Sequence, residues 1–403
     1  MLSEPAPVTN TSTPAAVPSP PKPIGEQLAR HWMLDPSIDF LNHGSFGATP
    51  RIVLEAQTKW RARMEARPVE FLARQGDKLQ DDAKAVVGKF LGAAPSDFGF
   101  TSNATAGVNA VLRSLSFKPG DELLTTTHVY RAVRRTMEYL ISRSSAVMRE
   151  VDLPLPLKSD DEVVNAIEQA IGPRTRIVVI CHITSPTAIV FPVKRIVELC
   201  AARGVDILID GAHAGGVLDL NIESINAAYY AGNLHKWMCA PKGSAFLWVR
   251  PDRQRAIHPN TISHFLNEGF AGEFAWQGTR DLTAWICAGD AVRFMASLGW
   301  DNVRWHNHEM AAWVQWLLTR RWGVAPLTPL DGSMLGSMVS VQLPESLRRF
   351  GTVEKLQADL FDAHRFEVPC VEFGSRWLIR PCCQVYNTPG QYERLADVVA
   401  GLA

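Results

Sequence analysis

"TRIVVICHITSP" at residues 175–186 and "GVDILIDGAHAGG" at 204–216 are two apolar runs that each end in a polar cluster. Both runs are almost continuous in apolar residues, the pattern of parallel strands covered on two faces rather than of strands half open to water. Upstream, "PRIVLEAQTKWRARMEA" and "LQDDAKAVVGKFLG" carry apolar residues at helical spacing, and "DFGFTSNATAGVNAVLRSL" reads as strand, polar turn and helix. Strands that alternate with helices in this way predict an α/β fold with a large, doubly wound, mixed or parallel sheet. After about residue 281 the texture changes. Trp-rich helices ("DLTAWICAGDAVRFMASLG", "VRWHNHEMAAWVQWLLTRRW") precede the strand-like runs "SMVSVQLP", "RFEVPCVEF" and "RWLIRPCCQVYN", which predict a smaller C-terminal α+β domain. The expected organisation is a Pro/Ser/Thr-rich tail over 1–24, an N-terminal segment over 25–49, a large domain over 50–280 and a small domain over 281–403.

A chain of 403 residues with 46% hydrophobic content has enough apolar surface for a large core. Its 41 basic and 41 acidic side chains cancel, so the balance of charge gives no attraction to nucleic acid or to an anionic membrane. Small molecules are the expected partners. The seven cysteines are scattered without a paired framework, which favours a reducing compartment. The first residues, "MLSEPAPVTNTSTPAAVPSPPKP", lack a cationic region followed by an apolar one, and no later stretch has the roughly 18 uninterrupted apolar residues of a spanning helix. A cytoplasmic protein is expected.

In open α/β sheets ligands bind beyond the carboxyl ends of the strands. "SNATAG", "THVY", "HITSP", "DGAH" and "NLHK" each follow an apolar run, so one edge of the sheet should gather them into a site. "TSNATAGVNAVL" opens a helix whose free N–H groups suit a phosphate, although a simple cap by Asn103 or Thr101 accounts for the same residues. The segment has neither a Walker A loop nor G-x-G-x-x-G, so a nucleotide is not implied. Asp210 ends a buried strand, where it either caps the next helix or holds a heterocyclic nitrogen protonated. Lys236 lies 26 residues further on, within "NLHKWMCAPKGSAFLWVR" (233–250), and partial desolvation there would free its amine to capture an aldehyde. A phosphate cradle, a pyridinium partner and an aldehyde-capturing amine together describe a site for pyridoxal 5'-phosphate.

The segment around Lys236 resembles the cofactor-lysine signature of class V aminotransferase-like enzymes, fold type I of the pyridoxal phosphate superfamily. "LNHGSFGATP", "HITSPTA", "DGAHAGG", "WQGTRD" and "IRPCCQVYNT" are similar, more narrowly, to the isopenicillin N epimerase-like branch. The resemblance runs from about residue 37 to the C-terminus. It implies that Lys236 binds the cofactor and serves as the base at the substrate α-carbon, that Asp210 pairs with the pyridine nitrogen, and that His213 lies near the phenolic oxygen. It assigns the phosphate to the Ala104 and Thr105 amides with Asn233 and His235. Thr279 would reach the phosphate of a partner subunit, which implies a homodimer with shared sites. Arg380 would bind the α-carboxylate. His128 or Tyr130 would stand over the open face of the ring, either as a stacking group or as a proton donor, and Asn42 and His43 would line the substrate mouth. Ser185 occupies a position where many relatives have asparagine bonding the cofactor oxygen, and Asn233 replaces the commoner serine.

The implied reaction is carbanion chemistry on an amino acid or a peptide with a free amino-acid end. Epimerisation is the leading expectation; it needs a second acid besides Lys236, which Tyr130 or His128 would supply, and Tyr130 would serve a leaving group in a lyase equally well. β-Elimination from a cysteine thioether or sulfoxide, as in hercynylcysteine sulfoxide lyase-like enzymes, and transamination are the alternatives. A non-catalytic cofactor-binding homologue has no need of the base and is disfavoured. Cysteine persulfide chemistry is also disfavoured, since Cys370, ten residues before Arg380, sits in a strand-like run. No metal is expected: His306 and His308 at i and i+2 face apart on a helix and read as a solvated patch, and adjacent Cys382 and Cys383 point opposite ways on a strand.

Overall fold

The computed structural model describes residues 18–22 and 26–403. The expected tail over 1–24 falls mostly outside them. Strand β1 (Asp39–Phe40) precedes seven strands of one sheet: β2 (Phe98–Thr101), β3 (Glu122–Thr126), β4 (Val147–Val151), β5 (Thr175–Cys181), β6 (Asp206–Asp210), β7 (Tyr229–Asn233) and β8 (Ala245–Val249). Their order is β2-β8-β7-β6-β5-β3-β4. β8 runs antiparallel to both neighbours and the other pairs are parallel. The chain steps outward to β4 on one side of β3 and to β5, β6 and β7 on the other, so the strand order reverses beside β3.

The continuous apolar runs have the predicted cause. In β5 and β6, Ile177, Val179 and Leu208 enter a core on one face, while Val178, Ile180, Ile207 and Ile209 enter a core on the other. Successive side chains point to opposite faces of a strand, so two apolar layers require apolar residues at every position.

A three-stranded antiparallel sheet forms the smaller unit, ordered β11-β12-β9, with β9 at Val341–Gln342, β11 at Cys370–Phe373 and β12 at Arg376–Ile379. Beside it β1 pairs in parallel with β10 (Phe366–Glu367). Leu41 lies in the same core as Val341, Phe366 and Tyr392. The N-terminal segment is therefore anchored in the small domain before it turns toward the large one. The boundary expected at 281 shifts, because the helix Thr283–Ser297 packs Trp285, Ile286, Ala288 and Val292 into the large core. His306, expected in a solvated patch, is buried. No helix among the described residues is long and apolar enough to cross a membrane.

Candidate active site

A cavity of about 520 Å³ opens at the carboxyl ends of β3, β5, β6 and β7, beside the start of the helix Ala104–Ser114. Lys236, in the turn after β7, projects into it and places Nζ 3.2 Å from Nε2 of His213. Burial, reinforced by the charge of Arg380, lowers the Lys236 amine to about 8, although Asp210 pulls the other way. His213 Nδ1 receives the indole N–H of Trp237 at 3.4 Å. An indole nitrogen can only donate, so the His213 proton sits on Nε2 and faces the lysine. Burial and the charges of Lys236 and Arg380 hold the ring neutral.

Asp210 is the one carboxylate among the residues lining the cavity. Oδ1 accepts the Ala212 amide at 3.0 Å, and burial raises its pKa while that bond and Lys236 lower it. A buried carboxylate with so few partners calls for a cationic N–H opposite it. At the other end, Asn103 caps the helix Ala104–Ser114 by accepting the Ala106 amide at 2.7 Å. Thr105 is in the first turn, where amides lack intrahelical acceptors. Its neighbour differs from expectation: the Ala104 amide donates to Asn233 Oδ1 at 2.8 Å. His235 Nδ1–H donates to Ser244 O at 2.6 Å, which leaves Nε2 as the free ring nitrogen. Burial lowers its pKa to about 4. Trp285 ties this end together, its indole N–H shared between Thr101 O at 3.2 Å and Gly243 O at 3.0 Å.

Several expected residues have other roles. His128 does not line the cavity. Both its ring nitrogens are taken, by Thr187 Oγ1 at 2.7 Å and Leu153 O at 3.0 Å, and the ring packs against Phe373. Tyr130, from the same segment, does line the cavity and is partly exposed. Ser185 is bound by Arg380, whose Nη1 donates to its carbonyl at 2.5 Å and to its hydroxyl at 3.1 Å. Arg380 is buried, and its Nε has no partner among the described residues. Asn42 and His43 are buried and do not line the mouth; Ser45 and Phe46 do. Thr279 is exposed and lies outside the cavity of its own chain. The residues missed in the sequence include Trp237, Ser45 and Trp285. Trp237 beside the lysine was the visible signal for the first. Cys181 lines the cavity, but burial raises its thiol far above the ordinary range, and burial likewise pushes the Cys370 thiol up to about 12. Neither is a ready thiolate.

The buried amine, the sparsely bonded carboxylate and the helix N-terminus fit the aldehyde, ring nitrogen and phosphate of pyridoxal phosphate. Fold and site thus define a fold type I pyridoxal phosphate enzyme. The aminotransferase class-V family model matches residues 45–347, and the chain belongs to that family. It is 34% identical to the isopenicillin N epimerase of Amycolatopsis lactamdurans, over 92% of this chain and 96% of that protein. It is 31% identical to a probable chloroplastic L-cysteine desulfhydrase of Arabidopsis thaliana, over 94% of this chain and 85% of that protein. A solved structure of a C-DES variant with glycine covalently linked to its cofactor shares the fold, with a TM-score of 0.77 at 21% identity over 90% of this chain and 96% of that one.

Proposed function

We propose that the protein is an epimerase or racemase acting at the α-carbon of an amino acid or of a peptide with a free amino-acid end. The observation that carries this reading is the placement of Lys236 and Tyr130. Lys236 follows β7 and Tyr130 follows β3, with β6 and β5 between them, so the amine and the phenol reach the cavity from opposite ends of a four-strand row. Inversion needs one group to remove a proton and another to deliver one to the opposite face.

Bound pyridoxal phosphate supplies the electron sink that labilises the α-proton. The remaining work falls to the protein. Lys236, partly neutral near pH 8, takes the proton at its Nζ. The Tyr130 hydroxyl returns one from the other side. Asp210 would hold the ring nitrogen protonated, and Arg380, bonded to Ser185 on the cavity wall, would receive the substrate carboxylate. Isopenicillin N epimerases among the relatives support the reading.

A second reading, β-elimination from a cysteine-derived substrate, is supported by relatives named L-cysteine desulfhydrase and needs only Lys236 as base. We also propose a homodimer with shared sites: exposed Thr279 follows a loop that exposes Ile262, Phe265 and Leu266, an apolar surface suited to a second copy. The seven cysteines are all unpaired, which supports a reducing, cytoplasmic setting.

The test is to incubate the pyridoxal phosphate-loaded protein with L-amino acids and cysteine thioethers in deuterated water, reading α-deuterium, chirality and pyruvate together. Deuterium uptake with loss of optical purity and no pyruvate is the expected outcome. Pyruvate with ammonia and a released thiol overturns epimerisation in favour of the lyase.

A further inference from the structure

In the motif "NHGSFG" at residues 42–47, Asn42 and His43 were expected at the substrate mouth, yet both side chains are buried. We propose that Asn42–Gly47 is a positioning bracket in which His43 fixes the backbone of Lys236 and Ser45 fixes the guanidinium of Arg380.

His43 is fully buried, and its backbone neighbours Ala48 and Lys236 indicate its tautomer. Nδ1 faces the Ala48 amide at 3.3 Å, which can only donate, so Nδ1 carries the lone pair and accepts the Tyr386 hydroxyl at 2.7 Å as well. Nε2 carries the proton and donates it to the Lys236 carbonyl at 3.1 Å. Gln384 Nε2 is a longer contact at 3.4 Å, its own oxygen being taken by Asn307. Burial lowers the His43 pKa to about 3, which keeps the ring in this neutral form. Tyr386 and Gln384 belong to the small domain, and His43 follows β1, which pairs with that domain's β10. The ring therefore transmits the position of the small domain to the turn that carries the lysine.

Ser45 does the same for the arginine. Its hydroxyl donates to Asn42 Oδ1 at 2.5 Å, so its lone pairs face Arg380 Nη2 at 3.4 Å. Asn42 is held in turn by donating to Glu367 Oε1 at 3.0 Å, on β10. Nη1 on Ser185 and Nη2 on Ser45 hold the fork at two points, while Nε is buried without a partner among the described residues. Gly44 allows the approach, since a Cβ there would stand 2.7 Å from Met338 Sδ and 3.1 Å from Cys382 Sγ.

The Arg380 half rests on the proposed role of Arg380 at a carboxylate; the Lys236 half does not. The first measurement is the rate at which apoprotein captures pyridoxal phosphate, read by visible absorbance, with thermal melts alongside. His43→Leu should slow capture about tenfold or more, as expected for a misplaced reacting group. His43→Gln, whose amide N–H reaches the same carbonyl, should recover to within about threefold. Wild-type capture by His43→Leu, or a folded His43→Gln as slow as His43→Leu, overturns the Lys236 half. If His43→Leu does not fold, Tyr386→Phe decides, because it removes one oxygen only: slowed capture supports the bracket and an unchanged rate overturns it. The second measurement is glycine affinity of the loaded protein, from its visible spectrum. Ser45→Ala should weaken glycine about tenfold, leave capture within twofold, and add nothing in an Arg380→Ala background, the non-additivity of a residue acting through another. Full additivity, or wild-type glycine affinity in Arg380→Ala, overturns the Arg380 half while leaving the capture result intact.

Discussion

The amine of Lys236 lies 3.2 Å from a ring nitrogen of His213 that carries a proton, so the geometry favours the uncharged amine. Burial and Arg380 push the same way, to about 8 from 10.5. At pH 7 roughly a tenth of the amine is then neutral, against well under a thousandth for an ordinary lysine. The apoprotein should capture pyridoxal phosphate faster as pH rises from 6 to 8 and level off above 8.5. A rate still rising tenfold per unit at pH 9.5 would show an ordinary lysine.

The same shift makes a prediction about stability. The folded pKa lies below the unfolded one, so the unfolded state binds more protons between about pH 8 and 10.5, and stability rises with pH across that window. Below it, burying the charged amine is a cost. The apoprotein of Lys236→Met should melt higher than wild-type apoprotein at pH 7, and the gap should narrow by pH 10. Loaded with pyridoxal phosphate, the variant should show neither the visible band of a lysine-bound cofactor nor catalysis.

Trp237 sets the tautomer of His213. Trp237→Phe removes the one N–H that reaches Nδ1 among the described residues and leaves a buried ring nitrogen without a donor there, a change costing about 1–3 kcal/mol. Denaturant melts should record that loss. The pH dependence of cofactor capture should also move, because the proton on Nε2 is no longer enforced. A variant that loses stability but keeps the wild-type capture profile would reduce Trp237 to packing.

Tyr130→Phe separates the two reactions. If Tyr130 delivers the second proton, its loss should lower epimerisation by about 10²-fold or more while α-proton exchange through Lys236 continues with retained configuration. Deuterium would then enter without racemisation. If the substrate is a thioether and Tyr130 only packs, pyruvate formation should change less than about threefold in the variant.

The two-faced apolar runs over 175–181 and 206–210 made the parallel strands legible, because burial on both faces leaves no alternation to misread. Ser185 and His213 just beyond these runs, Asp210 at the end of the second and Lys236 after β7 do line one cavity. What the sequence did not disclose was direction. His128 and Tyr130 are two residues apart, and only the structure shows that Thr187 and Leu153 claim the first while the second reaches the cavity. Asn42 and His43 stood in the right motif, but contacts to Glu367 and Tyr386, more than 300 residues away, turn them inward. The helix Thr283–Ser297 was similarly ambiguous, since its apolar surface fits either domain until Trp285 is seen donating to Thr101 and Gly243.

Gly47 offers the sharpest test of how tightly the N-terminal segment is fitted to the lysine turn. Its φ of 62° and ψ of 149° lie where side-chain-bearing residues are rarely found. A Cβ there would also come within 2.4 Å of His235 O and 2.9 Å of Lys236 Cα, both rigid backbone. Gly47→Ala therefore combines dihedral strain of about 1–3 kcal/mol with a collision that only movement of the lysine turn relieves. Gly390→Ala is the control, because nothing stands within 4 Å of its Cβ position. Gly47→Ala should lower stability by several kcal/mol and slow cofactor capture in whatever fraction stays folded, whereas Gly390→Ala should change neither by much. Equal behaviour of the two variants would mean that the segment yields freely and that its contacts do not hold Lys236 in place.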